Sequence, residues 1–243
     1  MNQVFQVYNG VIFGKEAALT ISIKDRLLDA AEQLFAERSY QEVSVRDLAA
    51  AADANVAAVN YHFQGKENLY NEVISRRFSI QRDRTLHALQ DVRSSTQGPP
   101  KIDAVIKAFV GEYIDGALSN SFLTIVTRDM HTANAETLCR FFKEMIDPLY
   151  AAFSAALTAA RPGLHPDELS WIIASVIGQM HHLILRRIKY TCLDQESEVR
   201  QMMTVSFPAL KLEQDEYVRQ ITEHIARFSS AAIVGMYPEE NND

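Results

Sequence analysis

Residues 44–66 read SVRDLAAAADANVAAVNYHFQGK, and this stretch decides how the chain is read. Two short helical patterns joined by a tight connection are what a helix-turn-helix needs. The first pattern covers Val45–Ala52, with Ser44 and Asp47 spaced as a capping box. The second starts at Asn55, a good N-cap, and runs to about Tyr61. Gln64-Gly65 then breaks the chain. A recognition helix must be short, small-sided and free to enter a major groove. Val56 and Val59 can anchor it to its neighbours. Ala57 and Ala58 leave room for close approach, and an alanine methyl can touch a thymine methyl. Asn60 carries a donor and an acceptor, so it can read a base edge or hold a phosphate. Tyr61 and His62 offer a hydroxyl and a ring nitrogen to phosphate oxygens. Lys66 adds charge at a helix N-terminus, a ready anion site. Arg46, on the first turn of the supporting helix, can reach backbone or groove. Plainer roles stay open at this point. Ser44 and Asn55 are explained as caps, with phosphate contact an additional role. Ala57 and Ala58 can be simple helix formers, His62 can be structural, and Tyr61 and Phe63 can be core.

Outward from this stretch, nearly every segment reads as helix. From Ile23 to Arg38 the apolar residues Ile23, Leu27, Leu28, Ala31, Leu34 and Phe35 form a stripe spaced by three and four. Ser22 can cap its start. Lys66 opens a long helix to about Asp91, with Leu69, Val73, Ile74 and Phe78 facing inward. The clearest boundary is Arg93–Pro100, RSSTQGPP, which cannot continue a helix. Beyond it lie helical patterns over Ile102–Ala117, Phe122–His131, Glu136–Ala160, Pro166–Tyr190 and Asp215–Ile233. The expected fold is all-α: an N-terminal three-helix helix-turn-helix domain followed by a larger helical ligand-binding and dimerisation bundle. The expected division is a tail over 1–19, a DNA-binding unit over 20–66, a connecting helix over 67–92 and the bundle over 101–236.

Composition narrows the function classes. The chain has 243 residues, of which 47% are hydrophobic and 23% charged, so a packed core is within reach. Nine glycines and seven prolines are too few for a turn-rich all-β protein. Cys139 and Cys192 lie far apart, in no metal or redox spacing, which points to the cytoplasm. No apolar run is long enough for a transmembrane helix. The first twenty residues do not resemble a signal peptide. No phosphate loop, nucleophile elbow or HExxH motif appears, and neither a metal nor a cofactor is expected. Adjacent His181 and His182 point about 100° apart on a helix and cannot chelate one metal together.

Two late helices suggest assembly. Val218, Ile221, Ile225, Phe228 and Ala232 form one narrow stripe. The helix from Leu169 to Tyr190 is apolar nearly all round, from Trp171 and Ile172 through Met180 to Ile188. Such a helix needs cover on every side, so a helix-pair dimer is natural, although both helices can also pack within one subunit.

Residues 23–70 resemble the N-terminal domain of the TetR/AcrR family of one-component transcriptional regulators. LLDAAEQLFAERSY, VSVRDLAAAA and NYHFQGKENLY carry the resemblance, and NVAAVNYHF is similar to the CecR-like branch in particular. The resemblance implies a DNA-binding three-helix unit, a fourth helix leading to an all-α ligand domain, and a homodimer made by the last helices. It implies DNA contacts at Ser44, Arg46, Asn55, Ala57, Asn60, Tyr61, His62 and Lys66, to which the small side chain of Ala58 is added from the residue reading above. Ser39 and Asp53 stand where glycine is usual in the family. Aspartate tolerates left-handed geometry, so the turn at Asp53 can survive, but its carboxylate is ill placed near DNA. Residues 20–70 carry five basic and eight acidic side chains, a net −3, within a chain of net charge −7. Non-specific affinity should therefore be modest, with binding resting on a few placed groups presented twice.

In the family the C-terminal bundle holds a small molecule that loosens the grip on a palindromic operator. Candidate lining here is Phe109, Tyr113, Phe122, Arg128, Phe142, Met145 and Met180, with Arg128 suited to an acidic ligand group. Arg128 can equally be a surface or buried ion-pair partner. The reading from another class is an all-α small-molecule-binding protein or enzyme whose N-terminal unit is merely structural.

Overall fold

The computed structural model describes residues 22–95, 97–119, 139 and 142–237. Among them there is no strand, and the α-helices are α1 Ile23–Glu37, α2 Val45–Ala51, α3 Val56–Phe63, α4 Lys66–Ser94, α5 Ile102–Ser119, α6 Asp147–Ala160, α7 Pro166–Thr191, α8 Glu198–Ser206 and α9 Gln214–Met236. A π-helical turn at Phe142–Ile146 leads into α6, and a 3-10 turn at Pro208–Lys211 precedes α9. The chain divides into two compact units between Tyr70 and Asn71, inside α4.

In the first unit, capping side chains set each helix start. Ser22 Oγ accepts from Asp25 N at 3.1 Å. Ser44 and Asp47 make both bonds of the capping box, at 2.8 and 3.1 Å. Asn55 Oδ1 accepts from Ala57 N at 2.9 Å. Where a glycine would be usual, Ser39 closes its turn differently: its N–H and hydroxyl both donate to the Glu42 carboxylate, at 2.9 and 2.7 Å. The core joins Leu27, Phe35, Leu48, Val59 and Leu69, each fully enclosed. Edge-on contact of Phe35 and Tyr40 with the Tyr70 ring, at 4.9 Å in both cases, brings the first turn of α4 into the same unit. Enclosing a side chain such as Phe35 contributes about 2–3 kcal/mol by area.

In the second unit α5 is the central helix, with α6, α7 and α9 packed against it. Val105, Ile106, Val110 and Ile114 of α5 are fully buried. Phe109 stacks on Phe153 of α6 at 4.1 Å between centroids. At the α5–α9 contact a side chain at Gly111 would already touch Thr222 at 3.4 Å. Pro166 opens α7, as its fixed φ favours, and Glu168 reaches back to His165 N at 2.7 Å. Arg187 donates to the carbonyls of Leu210 and Leu212 and lies over the Tyr217 ring, which pins the 3-10 turn to α7.

The helix expected over Phe122–His131 lies outside the described residues. The pattern read as one helix over Glu136–Ala160 is, where described, helical at Cys139, a π-helical turn over Phe142–Ile146 and then α6. Helix α8 was not expected from the sequence at all.

Candidate nucleic-acid interface

The α3 helix is divided by burial. Val59 and Phe63, four apart, point into the unit at 0% and 3% exposure. Asn55, Ala57, Asn60 and Tyr61 are exposed, and Ala58 and His62 are half-buried. Ala57, Asn60 and Tyr61 are spaced by three and four and so share a face. Tyr61, 83% exposed, is not core. Val56 anchors less than expected, at 41% exposure, so Val59 and Phe63 hold the helix. Among the described residues the Asn60 side chain makes no hydrogen bond. His62 packs edge-on against the Tyr61 ring at 5.0 Å.

The helix ends where the backbone turns left-handed, at Gln64 with φ 62° and Gly65 with φ 138°. Lys66 follows at once. Its Nζ donates to the carbonyls of Tyr40 and Val43 at 2.8 and 2.9 Å and sits 4.1 Å from the centroid of the Tyr40 ring. An ammonium has three protons, so one is left for an anion. Lys66 therefore fastens the α1–α2 turn to α4. Burial, then the Glu67 charge, pushes the Tyr40 hydroxyl above its ordinary pKa. Ser44 and Arg46 are exposed at the start of α2. Hydrogen bonds from Ser44 hold the Asp47 carboxyl below its ordinary range, so the cap is charged at neutral pH.

Asp53, in the α2–α3 turn, has φ 47°, a left-handed geometry that glycine adopts without strain and aspartate tolerates. Its carboxylate is fully exposed, with Arg26 Nη1 of α1 at 3.8 Å. Sequence reasoning missed Arg26 and Tyr40. Neither has a local signal, because each acts on a partner far along the chain.

Of the expected ligand-lining residues, Phe109, Tyr113 and Met180 share one buried cluster, with the Phe109 and Tyr113 rings 6.3 Å apart. Phe109, Tyr113 and Met180 are core, at 2%, 7% and 1% exposure. Phe142 is exposed on the π-helical turn. Phe122, Arg128 and the Met145 side chain lie outside the described residues. A recess of about 550 Å³ is instead lined by Leu86, Leu89, Gln90, Arg93 and Ser94 of α4 with Ala152 of α6. A second, of about 270 Å³, runs between α7 and α9, bordered by Trp171, Ser175, Gln179, Phe228, Ala232 and Met236. Among the described residues no three His, Cys, Asp or Glu side chains gather as metal ligands. No helix there is long and apolar enough to cross a membrane.

Residues 27–73 match the family described as bacterial regulatory proteins, tetR family. A probable HTH-type transcriptional regulator, YttP of Bacillus subtilis (strain 168), is 37% identical over 57 residues. That match covers 24% of this chain and 28% of YttP, so the chain spans under a third of that relative. Among solved structures, the fatty acid degradation regulator FadR from Bacillus halodurans superposes with a TM-score of 0.59 at 15% identity, covering 84% of this chain and 94% of FadR. A transcriptional regulator from Aquifex aeolicus VF5 gives a TM-score of 0.58 at 17% identity, covering 85% and 99%. At these identities the structures speak for the fold alone. The chain thus carries, over residues 27–73, a segment matching the tetR family of bacterial regulatory proteins, within a TetR-like all-α fold with a larger C-terminal helical domain.

Proposed function

We propose that this chain is a homodimeric, sequence-specific DNA-binding transcriptional regulator, a repressor released from a palindromic operator by a small molecule bound in the C-terminal unit. The carrying observation is the face of α3: Ala57, Asn60 and Tyr61 stand in solvent while Val59 and Phe63 hold the helix from behind. Ala57 and Ala58 give the backbone close access to base edges, and Asn60 reads a base. Tyr61, His62 and Lys66 hold phosphates on either side, with Ser44, Arg46 and Asn55 at the helix starts. The NVAAVNYHF text supports a CecR-like recognition helix.

The dimer reading is supported by large apolar side chains left in solvent on α7 and α9. Trp171 is 72% exposed, Phe228 59% and Met236 69%, all beside one groove. Gly178, in open space on the same helix as Trp171, lets a second helix come close. A two-fold pair presents two recognition helices to half-sites about 34 Å apart. The effector reading is supported by the recess along α4, where Leu86 and Leu89 offer apolar wall and Arg93 a cation. A cytoplasmic location and the absence of catalysis or a resident cofactor go with this reading.

The test is selection of duplexes from a random pool by the intact protein, followed by fluorescence anisotropy on the enriched sequence. The expected result is a palindromic consensus bound more tightly than scrambled DNA. A folded dimer that enriches no sequence, at low salt, refutes the proposal.

A further inference from the structure

The helix that leaves the DNA-binding unit carries a buried polar contact that apolar packing does not require. Gln81 of α4 is 5% exposed and Thr85, one turn on, is 0% exposed. The Gln81 Nε2 donates to the main-chain carbonyl of Glu112 in α5 at 2.8 Å and to Thr85 Oγ1 at 3.3 Å. The Thr85 hydroxyl in turn donates to the Gln81 carbonyl at 3.0 Å. The amide thus has both protons engaged and its rotamer set by its own helix.

The opposing surface fits it. A Cβ on Gly116 of α5 would lie 1.4 Å from Gln81 Oε1 and 2.3 Å from Cδ. Glycine inside a helix costs about 1 kcal/mol relative to alanine, so its presence here calls for a reason. The reason is the notch: any side chain at 116 would displace the Gln81 amide from this seat. The neighbouring Arg82 donates through Nη1 to the Glu144 carbonyl at 2.9 Å, on the π-helical turn. Adjacent side chains on α4 therefore hold two main-chain carbonyls of different elements.

We infer that Gln81, seated in the Gly116 notch, is a positioning residue that fixes the register of α4 on the C-terminal bundle and through it the operator-competent form. The inference rests on the proposed regulatory reading. A hydrogen-bonded peg in a glycine notch permits one seat and penalises sliding by part of a turn, as apolar ridges alone do not. Because α4 runs unbroken from Lys66 to Ser94, a change of seat is carried along a single helix.

The experiment compares the full-length wild type with Gln81→Ala, Gly116→Ala and the double variant, in which the new methyl fills the vacated notch. Hydrogen exchange over residues 78–89 and anisotropy on the selected duplex are read together. Gln81→Ala should speed exchange over 78–89, leave α1–α3 unchanged and weaken the selected duplex about tenfold. Gly116→Ala should do the same with a lower melting temperature. The double variant should regain thermal stability yet still bind DNA weakly, because packing is restored and the bond to Glu112 is not. A thermally restored double variant that binds DNA like the wild type overturns the inference, as does unchanged exchange in Gln81→Ala. If the wild type selects no duplex, the regulatory reading fails by itself, and the exchange arm still decides whether Gln81 holds α4.

Discussion

Tyr61 offers the sharpest separation of binding from folding. Its ring is 83% exposed, while Val59 and Phe63 on either side are buried. Tyr61→Phe removes a single hydroxyl and disturbs no core contact. Surface changes of this kind alter stability by within about 0.5 kcal/mol, so the melting temperature should not move measurably. On the proposed reading the hydroxyl donates to a phosphate oxygen in the bound state, a net contribution of about 1 kcal/mol. The symmetric pair loses it twice, about 2 kcal/mol, which is about 30-fold in Kd. The loss should be equal for the selected duplex and for single-base variants of it, since a phosphate carries no sequence. The salt dependence should be unchanged, since no charge is lost. Anisotropy titrations at several salt concentrations, with calorimetry as the folding control, measure all three. Unchanged affinity in a folded dimer refutes the phosphate role. A loss confined to one base position would instead make Tyr61 a base reader.

Other outcomes follow from the same geometry. Lys66→Met keeps the stem and loses both bonds to the Tyr40 and Val43 carbonyls, so the N-terminal unit should lose about 2 kcal/mol in a denaturant titration and the salt slope of DNA binding should fall. Asp53→Gly keeps the left-handed turn and removes a carboxylate beside the recognition helix, so anisotropy should report tighter DNA binding, several-fold at low salt. Trp171→Asp combined with Phe228→Asp should give monomers in sedimentation velocity, with helicity retained in circular dichroism. Asp47 has its carboxyl lowered by Ser44, so the α2 cap contributes stability above the ordinary value of 3.8 and loses it as acid carries the pH down through the lowered value. Melting temperatures of Asp47→Asn and the wild type should accordingly differ at neutral pH and converge in strong acid.

Much of the first unit was legible because its signals are local. Ser22, Ser44 and Asn55 announce helix starts, and each caps in the structure. The end of α3 was read two residues early, at Tyr61. The true stop is set by Gln64 and Gly65 turning left-handed, so Phe63 closes the helix with its ring in the core. The second unit was harder to read for a physical reason. Helix α7 is apolar over a wide arc, and periodicity cannot say which part of the arc meets which neighbour. Phe109, Tyr113 and Met180 read as cavity lining and are buried in the core of the unit. The α8 helix, EVRQMMTVS, is only nine residues long, too short to stand out. The Gln81 peg and the Arg26–Asp53 pair are invisible in any local window, since each joins residues more than twenty positions apart.

The division of labour on α3 bears on how such a protein can diversify. Asn55 is committed to starting the helix, and Val59 and Phe63 to seating it. Ala57 and Asn60 carry no comparable structural duty. On the proposed function, a lineage can therefore exchange those two side chains, and with them its target sites, without first acquiring compensating changes in the scaffold. New regulatory wiring is in this sense one or two codons away from the old.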